Sequence, residues 1–221
     1  MRMSYIKDSG APLNTLKRFL VPATKKRAGE VCEMCGQEIL PEHSHLVNVE
    51  SRSLLCSCRS CYLLFTHSGA AQGKYKAVPD RYLHLRWFQM GDAQWEQMQI
   101  PVGMAFFFFN SSLKRITAFY PSPAGATESM LSLEAWEQLT DANPVLVDMA
   151  ADVEALLVYR RRGGSDFECF LVPIDACYEL TGRVRKTWKG FDGGEQAWHE
   201  IEEFFVNLRG KCPESHLGAQ P

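Results

Sequence analysis

Two cysteine pairs dominate the chemistry available to this chain: Cys32-Glu-Met-Cys35, followed by Gly36, and Cys58-Arg-Ser-Cys61, with 22 residues between Cys35 and Cys58. A C-x2-C loop aims two thiolates at one point, and Gly36 lets the backbone turn beneath the first pair. Two such loops complete a tetrahedron at Zn–S distances of about 2.3 Å, so neighbouring sulfurs are expected about 3.5–4 Å apart. Four thiolates leave no open position, which makes the expected zinc structural. Cys56 is a fifth candidate, since Cys56 and Cys58 are two apart on a presumed strand and point the same way. The ligand set expected is Cys32, Cys35, Cys58 and Cys61, with Cys56 and His45 as spare or alternative ligands.

Iron is the alternative occupant, because a rubredoxin also grips one redox ion with two C-x2-C loops. The first loop here carries the glycine typical of such sites; the second, which continues into Tyr62, does not. His43 and His45 fall on one strand face and His67 follows the cysteines. They are expected as exposed hairpin histidines, a mixed Cys/His site or second metal being the other reading. An HNH-like nuclease also embeds its site in such a module and would use Glu42, His43 and His45. It needs a further ligand in the following helix, and the Tyr62-Leu63-Leu64-Phe65 run offers none. Cys169 and Cys177 are expected buried and Cys212 in a polar tail. No G-x-S-x-G, H-E-x-x-H, phosphate-loop or dinucleotide pattern occurs, so no catalytic residue is assigned and an enzyme is the less favoured class.

The elements that must position these thiols follow from the intervening residues. HSHLVNVESRSLLCSC reads as a β-hairpin, and the segment after Cys58 starts a helix. Knuckle, hairpin and helix in that order resemble a treble-clef or zinc-ribbon-like module over residues 30–73. An α+β domain of hairpins and helices is expected at 74–211, then a polar tail at 212–221. In the domain, apolar runs at 102–109 and 114–120 flank Asn110-Ser111-Ser112, and Phe106 to Phe109 leave no polar face, so that strand should be covered on both sides. A second hairpin turns at Gly163-Gly164. The loop Tyr120–Ser129 reads as a strand-to-helix connection that could offer backbone amides to a ligand. Ser132 is placed to cap a helix bearing Leu133, Trp136 and Leu139. Trp198, Ile201, Phe204, Phe205 and Leu208 form one stripe of a final helix and are assigned to the core. The five tryptophans are scattered and given core and rim positions.

Composition sets the outer bounds. With 221 residues, 46% of them hydrophobic, the chain can bury a core, and no apolar run is long enough to span a bilayer. The N-terminal residues lack the apolar stretch of a secretory signal, so a cytoplasmic location is expected, where eight cysteines argue for metal or buried thiols over disulfides. Residues 1–29 hold seven basic side chains against Asp8, a charge of +6, and the remainder is -8. Such a basic arm can bind nucleic acid, anionic lipid or an acidic protein face, or lie on its own domain. A protein partner is preferred and nucleic acid set aside. Within the arm Leu13, Leu16 and Leu20 share one face of a short helix, with Lys17 and Arg18 beside them, and these five are the candidate partner-binding residues.

The blocks CEMCG, LLCSCRSCYLLF, KYKAVPDRYLHL, IPVGMAFFF, FYPSPAGATES and FLVPIDACYELTGRVRKTWKG together resemble an uncharacterised bacterial family of about this length. Its members are often encoded beside high-affinity, oxygen-tolerant nickel–iron hydrogenases. The resemblance implies a cytoplasmic accessory role in hydrogenase assembly or maturation, with a hydrogenase subunit or maturation factor as partner. It implies no catalytic residues.

Overall fold

A computed structural model describes residues 30–67, 69–129, 133–164 and 166–213. Over these residues the chain is α+β and its sheets are antiparallel. A small sheet comes first. β1 (Ser44–Asn48) pairs with β2 (Ser53–Ser57) as the expected hairpin, helix α1 (Arg59–Leu64) follows, and β3 (Tyr75–Ala77) returns to the other edge of β1. The larger sheet collects β4 (Leu83–His84), β5 (Met104–Asn110), β6 (Arg115–Ser122), β7 (Gly125–Ser129), β8 (Glu154–Arg160) and β9 (Phe167–Pro173) in the order β4-β9-β8-β5-β6-β7.

The apolar runs become its central strands because both faces are covered. Met104, Phe106, Phe108, Leu157, Tyr159 and Phe170 point into one layer, completed by α4 (Ile174–Thr187) and α5 (Gly194–Lys211). Ala105, Phe107, Leu156 and Val158 point into the other, under α2 (Asp92–Gln97) and α3 (Leu133–Ala142), whose Trp95, Trp136 and Leu139 are buried. Alternation along a pleated strand sends successive side chains to opposite layers, so a run without polar residues marks a strand buried on two sides. The α5 stripe packs as expected: the Phe205 ring stacks on Tyr159 at 3.9 Å between centroids, and Cys212 ends the helix against the same layer. Cys169 and Cys177 are buried, one in each layer.

The segment Tyr120–Ser129 departs from expectation. It forms a hairpin: β6 pairs with β7 from Ser122↔Gly125 to Ala118↔Ser129, with Gly125 at φ +116°. Its inward-facing backbone groups are spent on the ladder with β6, and β7 forms an edge of the sheet. Ser132 lies outside the described residues.

Charged contacts tie the small sheet to the large one. Asp152 accepts from Lys76 Nζ on β3 (2.7 Å) and from the Ser111 amide (2.8 Å) in the β5–β6 turn. Glu154, with a side chain only 2% exposed, accepts from Arg81 Nε at 2.6 Å. Arg81→Ala would leave that buried carboxylate without its charged partner, with the Ala150 amide still donating to it. A loss of about 3 kcal/mol is expected by denaturant titration, the low end for breaking a buried pair because Arg81 itself is 40% exposed. Among the described residues no helix is long and apolar enough to cross a membrane.

Candidate metal centre

The first cysteine pair sits in a tight turn. Cys32 N–H donates to Gln37 O (2.7 Å) and Gly36 N–H to Cys32 O (2.8 Å), beneath a bridge between Val31 and Glu38. Gly36 has φ +76°, a conformation in which any Cβ would be strained. Glu33, inside the turn, fastens it to β2: its amide donates to Cys56 O at 2.9 Å, and its carboxylate accepts from Cys56 N–H at 2.7 Å. That clamp delivers Cys32 and Cys35 to the point where β2 ends. There Cys58 takes an extended conformation (ψ 160°) as the N-cap of α1, its sulfur accepting from the Cys61 amide at 3.5 Å.

The four sulfurs of Cys32, Cys35, Cys58 and Cys61 lie within 4.8 Å of one another. Cys35 and Cys58 are 3.7 Å apart, close to the edge of a tetrahedron built on bonds of about 2.3 Å. The four are placed to hold a metal ion. Electrostatics points the same way. Burial pushes the Cys32 thiol up, but the amides of Cys58, Cys35 and Met34 outweigh it and bring the thiol down to about 6. Cys61 is pushed up to about 12, first by burial and then by the sulfurs of Cys58, Cys35 and Cys32. At Cys35 the Gln37 amide favours the thiolate, but the Cys32 and Cys58 sulfurs and burial hold it above the ordinary thiol value. The Cys32 thiolate is therefore favoured and those of Cys35 and Cys61 are opposed, a pattern a divalent cation would relieve.

Cys56 does not join this set. β2 ends at Ser57 and the chain turns into α1, so Cys56 and Cys58 leave the strand in different directions instead of sharing a face. Cys56 instead groups with His43 and His45, one donor atom from each lying within 4.8 Å of the others. His45 is thus grouped with His43 and Cys56, not with the four sulfurs. Nor are the two histidines exposed: their side chains are 8% and 22% accessible. His67 belongs to neither cluster. Sequence reasoning missed Asp175, which bonds His45 from α4 at 2.9 Å; only its place in a first helical turn was legible. Leu13, Leu16, Lys17, Arg18 and Leu20 lie outside the described residues.

No curated protein and no solved structure matches the chain. A family match does extend over residues 31–212, taking in both cysteine pairs and both layers of the large sheet: the chain belongs to DUF5947, a family of unknown function.

Proposed function

We propose that this is a zinc-binding accessory protein that acts by binding another protein, its four-cysteine centre holding a structural ion. The observation that carries the reading is the closed set of four converging sulfurs, which leaves no position for a substrate. The order knuckle, hairpin, then a second pair at the start of a helix supports a treble-clef description. Iron suits four thiolates as well. Zinc is preferred because the second pair opens a helix and does not repeat the first knuckle. Metal analysis and an absorption spectrum of protein purified from its natural host should show zinc and no visible band; a red, reversibly bleachable protein would transfer the function to electron carriage. Helix α1 carries no His, Asp or Glu, which counts against the HNH-like nuclease.

Ion uptake should also release protons. Cys35 and Cys61 are held above the ordinary thiol value, so at neutral pH each must give up a proton on binding. Bound metal therefore gains stability as pH rises and loses it as pH falls. Calorimetric titration in buffers of different ionisation enthalpy should find at least two protons released per ion, and a proton-neutral uptake would contradict four-thiolate binding.

The contact with a partner is assigned to the arm at residues 12–27 together with the module. Helix α1 buries none of its residues, and Leu63 and Leu64 stand 51% and 67% exposed beside the sulfurs. The resemblance drawn from the sequence blocks makes a nickel–iron hydrogenase subunit or maturation factor the partner to try first, in the cytoplasm. Deleting residues 1–28 should leave fold and metal content intact and abolish co-purification with that partner. Undiminished recovery of the partner would refute a role for the arm.

A further inference from the structure

We propose that His43, His45 and Cys56 form a second metal site, separate from the four-cysteine centre, that takes a late first-row transition-metal ion and keeps one position open for an outside ligand. The register of the β1–β2 hairpin places His45 directly opposite Cys56. His43, just before β1, brings its ring to 4.7 Å from that of His45 at a tilt of 54°. One donor atom from each of the three residues lies within 4.8 Å of the other two.

The hydrogen bonds around the rings decide which nitrogen is free. His43 Nδ1 meets Leu40 O at 2.9 Å, with Glu30 Oε2 at 3.4 Å, and His45 Nδ1 meets Asp175 Oδ2 at 2.9 Å. A backbone carbonyl can only accept, so His43 Nδ1 carries the proton and Nε2 keeps a lone pair; the carboxylate imposes the same tautomer on His45. Metal-bound histidines characteristically donate their other N–H to a carboxylate or carbonyl in this way. The independent observation is His43 Nε2 itself. It is buried on a side chain 8% exposed and has no hydrogen-bond partner among the described residues. Buried polar nitrogens are rarely left so. A bound ion supplies the missing partner.

Two imidazoles and one thiolate suit zinc or copper, and three protein ligands with a vacant fourth position characterise catalytic rather than structural zinc. On binding, the Cys56 S–H bond breaks, its proton leaves to solvent, and the sulfur bonds the ion. The space for a fourth ligand is a cleft of about 790 Å³ lined by both imidazoles and Asp175, with Tyr82 and Glu179 on its walls. Asp175 acts through His45 and is a positioning residue.

The test is an anaerobic Co2+ titration of reduced, metal-stripped full-length protein, followed by visible absorption. Two equivalents are expected, one with intense four-thiolate charge transfer and one with weaker single-thiolate absorption. Added azide should perturb only the second. His43→Gln and Cys56→Ser should each remove the weaker equivalent and leave the intense one. Asp175→Asn, which lies outside the hairpin, should weaken the second equivalent roughly 10- to 100-fold. The proposal is overturned by a single equivalent showing only the four-thiolate spectrum, by a second equivalent that survives in the His43→Gln/Cys56→Ser double variant, or by an unaltered affinity in Asp175→Asn. A single equivalent with the weaker spectrum, lost in His43→Gln, would support this site and defeat the four-cysteine reading instead.

Discussion

Stripping the metal should unfold residues 30–67 while the large sheet remains intact. Few buried apolar side chains of its own hold that segment together. Helix α1 has six residues and no buried side chain, far below the length at which a helix persists alone in water. Its hairpin strands are five residues each, and within 30–67 the buried apolar side chains are Cys32, Leu46, Val47 and Cys58. Four thiolates on zinc bring on the order of 10–16 kcal/mol of apparent binding energy, which dwarfs what those few side chains contribute. Hydrogen exchange on a sample shown to be metal-free should find the amides of β1, β2 and the Cys32–Gly36 turn exchanging rapidly while β5, β8 and β9 stay protected. Unchanged protection at Leu46 and Leu55 would show that the ion is not what folds the module.

Phe106→Ala should have the opposite signature, a global loss of about 3–5 kcal/mol that leaves metal content per folded molecule unaltered. Phe106 is fully buried in β5, flanked by β6 and β8. Its ring stacks near Phe119 at 5.7 Å and meets Tyr178 of α4 edge-on at 6.0 Å. Truncation leaves a void bordered by rigid aromatic rings, which close poorly around it. Phe109, three residues along and 37% exposed, should cost far less in the same substitution. Equal shifts of the urea midpoint for the two variants would contradict the two-layer arrangement.

The parts of the fold that were legible in sequence are those governed by short-range pattern. The phenylalanine run disclosed a strand covered on both faces, the α5 stripe a buried helix face, and the doubled C-x2-C spacing a knuckle and a helix start. Tyr120–Ser129 misled because its prolines and glycine are turn formers, while β-pairing of Ala126 to Ser129 depends on the β6 register opposite, a tertiary fact. Cys56 misled for a similar reason: two residues apart on a strand means one face only while the strand lasts, and β2 stops at Ser57. The histidines seemed solvent-facing, yet His43 bonds back to Leu40 O within its own loop, and His45 meets Asp175 of α4, a tertiary contact that no local pattern carries.

The bond between His45 and Asp175 spans 130 residues, whereas Cys32 to Cys61 occupy one short stretch of chain. Loop closure costs more entropy as the intervening chain lengthens, and long-range contacts form late. During synthesis all four sulfurs leave the ribosome before the first strand of the large sheet, so they can be gathered while most of the chain is still unmade. His45 acquires its carboxylate only after β9 has been translated and α4 has docked. The four sulfurs can thus gather early, whereas the pairing of His45 with Asp175 marks the moment at which the whole molecule has closed.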